Sequence, residues 1–330
     1  MADTAIVVFL VLTALTFDFI NGFHDSANAI STVVSTRVFT PRQAVLWAAF
    51  FNFVAFFLVG VPVAKTIGTG IIHPEIISDA VIFAALGGAI AWNLITWYFG
   101  LPSSSSHALI GGLMGVGFVK GGVAVLVFSG IIKTTLFIVL SPAIGMVLGL
   151  VFMVTAINIF RNSTVYRADT IFRRLQLVSS AVFCMGHGMN DAQKTMGIIA
   201  MILFSRGMLG PVFHIPPWVE IACYAVIAFG TMAGGWRIVK TMGTKITKIR
   251  PMGGFCAESA AAVALIGASL AGIPVSTTHT ITGAIVGIGS AHRVTAVRWG
   301  VAGTIVWAWI LTIPLTALIS AAIYTLLTVW

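Results

Sequence analysis

Long apolar runs, separated by short polar or basic loops, fill the chain. They cover roughly residues 5–34, 43–64, 79–99, 103–119, 122–140 and 141–160. After a basic stretch come roughly 176–204, 216–239, 255–271, 275–291 and 299–328. Most approach the ~20 residues a helix needs to cross hydrocarbon. The pattern predicts an all-α polytopic membrane protein of about ten spans with broken or re-entrant half-helices. Composition agrees. Of 330 residues, 58% are hydrophobic and 8% charged, and the mean hydropathy is +1.05. A soluble domain carries about 25% charged residues.

The informative positions are the polar ones inside these runs. Asn21-Gly22-Phe23-His24-Asp25-Ser26-Ala27-Asn28-Ala29-Ile30 interrupts the first run, and Gly188-Met189-Asn190-Asp191-Ala192-Gln193-Lys194-Thr195 interrupts a later one. Gly22 aligns with Gly188 and Asp25 with Asp191, 166 residues apart. An ionised carboxylate in an isolated membrane helix costs roughly 3 kcal/mol on insertion scales. Such a residue needs a partner or a function. Gly22 and the polar cluster also predict a break in the helix, tolerated where backbone is buried in protein or lines a wet cavity.

A second repeat is closer. Gly100-Leu101-Pro102-Ser103-Ser104-Ser105-Ser106-His107-Ala108-Leu109-Ile110-Gly111 aligns with Gly272-Ile273-Pro274-Val275-Ser276-Thr277-Thr278-His279-Thr280-Ile281-Thr282-Gly283, offset by 172. Residues 1–160 and 176–330 therefore read as two transmembrane repeats joined by a basic linker, 161–175. Each contributes an Asp-bearing helix and a Pro-Ser-rich turn, the pattern of inverted-repeat secondary transporters.

Charge sets orientation rather than a nucleic-acid partner. The net +9 concentrates in loops, including Arg161, Arg167, Arg173 and Arg174, and Arg237, Lys240, Lys245, Lys248 and Arg250. The positive-inside bias places these in the cytoplasm with Arg37 and Arg42. The first run then points inward and its copy outward, so the halves are inverted. Strict inversion with a re-entrant 275–291 puts Arg293 and Arg298 outside, against the bias. Met1-Ala2-Asp3 offers no basic n-region, so the first run reads as a retained span. Cys184, Cys223 and Cys256 make neither a disulfide framework nor a metal-ligand spacing.

The motifs carry complementary chemistry. Pro stops a span, and Ser-Ser-Ser or Ser-Thr-Thr caps the next half-helix. A half-helix starting inside the membrane aims free N–H groups and its positive dipole end at an anion. Two such starts suit an oxyanion with four oxygens. Asp25, Asn28, Asn190 and Asp191 supply acceptors for Na⁺ or a proton. Importing an anion against an inside-negative potential requires a cation, since each charge costs roughly 2.3 kcal/mol per 100 mV. Lys194 serves the anion or neutralises an Asp; both roles stay open. His107 and His279, after the hydroxyl runs, hold the half-helix starts or titrate. Glu258 lines the path or snorkels to the interface. Asp18 and Asn93 are further intramembrane polar residues.

Together the four motifs resemble the inorganic phosphate transporter (Pit) family, close to its short bacterial members. The resemblance implies a dimeric, inverted-repeat symporter in a bacterial inner membrane. It would import phosphate with H⁺ or Na⁺ and need no other cofactor. Proton-coupled members are thought to take neutral metal–phosphate complexes. By resemblance, Ser104, Ser105, Ser106, Ser276, Thr277, Thr278, Gln193 and Lys194 surround phosphate, and Asp25, Asn28, Asn190 and Asp191 serve the coupling cation. The chain departs from the family in lacking a long loop between halves, and in carrying Asn52 where many eukaryotic members have Glu.

Three other functions compete. A sulfate permease shares the architecture, but carboxylates beside the site favour phosphate, which donates as well as accepts hydrogen bonds. A divalent-metal transporter leaves the doubled Ser/Thr turns without a role. An intramembrane hydrolase needs one activated nucleophile, whereas the sets here are doubled, so the sequence does not read as an enzyme.

Overall fold

A computed structural model describes residues 2–58 and 60–329. They form twelve α-helices: α1 (Ala2–Ser35), α2 (Pro41–Val54), α3 (Pro62–Thr69), α4 (Asp79–Phe99), α5 (Ser105–Gly121), α6 (Phe128–Phe160), α7 (Val165–Ser205), α8 (Pro217–Ala233), α9 (Trp236–Lys240), α10 (Pro251–Leu270), α11 (Thr277–His292) and α12 (Trp299–Val329). Six helices are long and apolar enough to cross a membrane. The number rises to eight if the bent pairs, α2 with α3 (88°) and α8 with α9 (63°), each count as one span. The protein is a multi-pass membrane protein with six to eight such candidate spans among the described residues, where about ten were expected.

The difference has local causes. The runs at 122–140 and 141–160 join into one helix, α6, with Pro142 inside it. At 16 residues, α11 is about 24 Å long and short of a full crossing. The central residues of α7 are buried in protein. Its polar run therefore never meets lipid, and the helix does not need an apolar surface. Most of the 161–175 linker is the first turns of α7, leaving Arg161–Thr164 as the connection.

The expected breaks at the Asp motifs are absent. Both α1 and α7 run unbroken through them. Polar side chains of both motifs bond sideways to other helices, and the backbone keeps its own ladder. Gly22 and Gly188 serve close approach instead. A Cβ on Gly22 would strike the Ile227 carbonyl oxygen of α8, and one on Gly188 would lie 2.6 Å from the Asn52 carbonyl oxygen of α2.

The breaks fall at the Pro-Ser turns. α4 ends at Gly100 (φ 66°), and the α10–α11 turn holds Gly272 (φ 65°). Both are left-handed positions where glycine avoids the Cβ clash. α4 and α5 form a hairpin whose open end is tied by Lys120 Nζ to the Ile76 carbonyl (2.7 Å) and Ser78 Oγ (3.0 Å). Asp79, Arg206 and Asp3 meet at that end. α10 and α11 form a second hairpin, open at the other end of the molecule. There Arg173 donates to the carbonyls of Arg37 (3.0 Å) and Thr36 (3.2 Å). Arg161, Lys248, Arg250, Arg293 and Arg298 line a cavity of about 940 Å³ at this basic end, with Asp169. Arg293 and Arg298 thus share an end with the other basic clusters, and the conflict with the positive-inside bias disappears.

The hairpins exchange supports between halves. α5 packs on α12, and α11 packs on α6. Two apolar cores result. One holds Leu10, Phe17, Leu86, Leu113 and Ile199; the other holds Ile30, Phe183, Ala260, Ile285 and Trp309. A buried polar layer lies between them.

Candidate functional site

Each half-helix start is capped by its own serine. Ser104 Oγ accepts from the His107 N–H (3.3 Å) and Ser276 Oγ from the His279 N–H (3.2 Å). The hairpin tips then touch. Ser106 Oγ donates to the Val275 carbonyl (3.4 Å), and the His107 and His279 rings meet edge to face with centroids 4.7 Å apart. His279 stacks on Trp309, whose indole N–H donates to the Pro102 carbonyl (2.9 Å). The histidines therefore join the two tips, while the serines do the capping.

Against the tips lie the middles of α1 and α7. In the first half, Asp25 Oδ2 accepts from Ser105 Oγ (3.1 Å), and Oδ1 accepts from Thr278 Oγ1 (3.4 Å) and faces His24 Nδ1 (2.8 Å). Ser105 Oγ also lies 2.5 Å from Asn21 Oδ1. Asn28 Nδ2 donates to Thr278 Oγ1 (2.8 Å) and Thr277 Oγ1 (3.2 Å). In the second half, Asp191 Oδ2 accepts from Thr277 Oγ1 (3.1 Å) and stands 3.0 Å from His187 Nε2. Asp191 Oδ1 pairs with Lys194 Nζ, which also donates to Ser106 Oγ and to the Val275 carbonyl (3.1 Å).

The two sets correspond. Each Asp accepts a hydrogen bond from its own half's turn: from Ser105 at Asp25 and from Thr277 at Asp191. The residue three positions on crosses over: Asn28 to Thr278, and Lys194 to Ser106. Asn28 and Lys194 align at the same offset of 166 as the aspartates. All of these side chains are at most 2% exposed. Ligand atoms of Asp25, His187 and Asp191 lie within 4.8 Å of one another, so carboxylates from both halves converge on a volume suited to one hard cation.

The other expected residues lie nearby with different partners. Asn190 Nδ2 donates to Ser269 Oγ (3.0 Å) and the Ile273 carbonyl (3.4 Å), bracing the α10–α11 turn. Gln193 Oε1 accepts from the N–H groups of Val63 (2.8 Å) and Ala64 (3.3 Å), and Nε2 donates to the Gly60 carbonyl (3.2 Å). It caps α3 and points away from the hydroxyl turns. Glu258 is fully buried, accepting from Gln176 Nε2 (2.9 Å) and Ser179 Oγ (2.5 Å), so it does not snorkel. Asp18 accepts from Thr195 Oγ1 (2.8 Å). Asn93 is buried with neither side-chain atom hydrogen-bonded.

Several contributors carry little signal in the sequence. Asn21 opens the first Asp motif and aligns at the offset of 166 with His187, which flanks the second, as His24 flanks the first. Thr96, bridging His24 Nε2 (3.1 Å) and Ser103 Oγ (2.8 Å), has no motif around it. Asn52 presents Oδ1 to His187 Nδ1 (3.1 Å) and donates to Thr231 Oγ1 (2.9 Å), which connects the eukaryotic Glu position to the second Asp motif.

Comparison with known proteins identifies the family. The sequence matches the phosphate transporter family over residues 21–320. A protein of Rhizobium meliloti named "Probable low-affinity inorganic phosphate transporter" is 59% identical over 319 residues, covering 97% of this chain and 96% of the relative. One of the same name from Bacillus subtilis is 46% identical over 323 residues, with 97% and 96% covered. A solved structure titled "The sodium-dependent phosphate transporter" superposes with a TM-score of 0.88 at 27% identity, covering 98% of this chain and 99% of that one. These relatives are transporters, not enzymes, and this chain belongs to the phosphate transporter family.

Proposed function

We propose that the protein imports inorganic phosphate by symport with a monovalent cation, Na⁺ or H⁺, at the site where the two hairpin tips meet α1 and α7. One observation carries this reading: two hydroxyl-bearing half-helix starts and two carboxylates, one of each per half, share a single buried layer. The half-helix termini and the hydroxyls of Ser104–Ser106 and Ser276–Thr278 are the anion's donors. Asp25, with Asp191, holds the cation.

The hydrogen bonds supply a coupling mechanism. A hydroxyl has one hydrogen bond to donate; Thr277 and Thr278 direct theirs to Asp191 and Asp25, and Ser105 lies between the acceptors Asn21 Oδ1 and Asp25 Oδ2. A cation bound at the carboxylates takes over that role. The released hydroxyls then turn to phosphate, so the cation binds first. Hairpins that open at opposite ends support a chain of two inverted repeats. Alternating access follows when one hairpin with its supporting helix rocks past the other. By family resemblance the working unit is a homodimer in a bacterial inner membrane.

The test is radiolabelled phosphate uptake into proteoliposomes under an imposed Na⁺ or pH gradient, with excess sulfate as competitor. Gradient-driven uptake that sulfate leaves intact is the expected result, and the effective gradient names the cation. Sulfate uptake without phosphate uptake overturns the substrate.

A further inference from the structure

We infer that the second half contains an alkali-cation site that the protein fills with its own Lys194 ammonium. The inference rests on the proposed symport and deepens it. The oxygens around Nζ come from a carboxylate (Asp191 Oδ1), a hydroxyl (Ser106 Oγ) and a main-chain carbonyl (Val275 O, 3.1 Å). These are the hard, oxygen-only donors that a small cation takes. They are fully buried, and the lysine with them.

The repeat shows what the charge replaces. Asn28 stands in the equivalent place and reaches the equivalent hydroxyl, Thr278, with a neutral amide (2.8 Å). The two sites share a hydroxyl from their own half's turn and a facing histidine, while Asp25 alone also accepts a hydroxyl from the other half, Thr278. In the first half Asp25 thus has no tethered positive charge from that position, and in the second Asp191 has one. His24 and His187 face the two carboxylates in both halves, so they do not create the difference. A third carboxylate, Asp18, is engaged by Thr195. A neutral side chain at 194 would leave Asp191 in the condition of Asp25, open to a cation from solution. Lys194 therefore sets how many cations must be drawn from the medium per phosphate: one fewer than for the same fold with a neutral residue there.

The experiment uses the full-length protein, Lys194→Asn and Lys194→Arg in proteoliposomes, with ²²Na⁺ binding measured on the same detergent preparations. In Lys194→Asn, phosphate uptake in Na⁺-free medium should fall by about tenfold or more, as expected for a buried carboxylate that loses its partner. Added Na⁺ should restore it, and the variant should bind one more equivalent of ²²Na⁺ than the parent. Lys194→Arg should keep the parental Na⁺ dependence. The inference is overturned if Lys194→Asn shows the parent's cation dependence, or if it stays inactive at every Na⁺ level while monodisperse and still binding phosphate. If the parent itself shows no gradient-driven phosphate uptake, the symport reading fails. The ²²Na⁺ comparison still decides the lysine's role, because no extra bound Na⁺ in the variant overturns it. Lys194→Gln repeats the comparison should Lys194→Asn fail to give a monodisperse peak.

Discussion

The Asp25 and Asp191 sites share a design and differ in one charge. Both carboxylates sit mid-helix, accept a hydroxyl from their own half's turn and face a histidine. At Asp25 the neighbour three residues on is an amide; at Asp191 it is an ammonium. The two aligned motifs thus keep a carboxylate and its hydroxyl partner while differing in the charge beside it. Two motifs that align in sequence can therefore differ in electrostatics at a single position.

The largest expected effect comes from breaking the two carboxylates separately. Asp191→Asn leaves a buried ammonium without its counter-charge and should lower stability by about 3–5 kcal/mol. Asp25→Asn removes no such partner. It should abolish gradient-driven uptake while keeping a melting temperature near the parent's. Thermal unfolding in detergent, paired with uptake, checks both; equal destabilisation by the two substitutions would erase the asymmetry.

Gly22→Leu and Gly188→Leu test whether the glycines serve packing. Each side chain would drive into a neighbouring backbone, and overpacking of this kind costs about 1–3 kcal/mol. Lower melting temperatures in both are expected. If both variants melt like the parent, the close-approach account fails.

Next come the paired hydroxyls. Ser105→Ala and Thr277→Ala each remove one proposed hydrogen bond to the anion, of about 0.5–1.5 kcal/mol, so phosphate affinity should weaken by up to about tenfold in each. Equilibrium binding of labelled phosphate reads this. An unchanged affinity in both places the anion elsewhere. The smallest effect belongs to the caps. Ser104→Ala and Ser276→Ala should each cost about 1 kcal/mol of stability. A clear difference between them in thermal unfolding would show that the two half-helix starts are not equivalent.

Much of this was visible in the residues. The membrane class followed from apolar runs, and the motifs paired by the two alignments do meet in space. The expected helix breaks illustrate the limit. A Gly beside Asn and Asp looks like a break when the helix is considered alone. It becomes a packing site once Ile227 or Asn52 is placed against it. Gln193 illustrates the same point, because its partners, Val63 and Ala64, lie 130 and 129 positions away.

The amino-acid order alone determined the membrane class and the recurrence of the Asp and Pro-Ser motifs. Those properties depend on hydropathy, spacing and functional groups, which are local. Only the tertiary structure decided that the Asp helices run unbroken and that Arg293 and Arg298 join the basic end. It also decided that Gln193 caps α3, and that Lys194 crosses to Ser106 as Asn28 crosses to Thr278. Those outcomes depend on which distant group satisfies each buried polar atom, and only the assembled chain supplies that group.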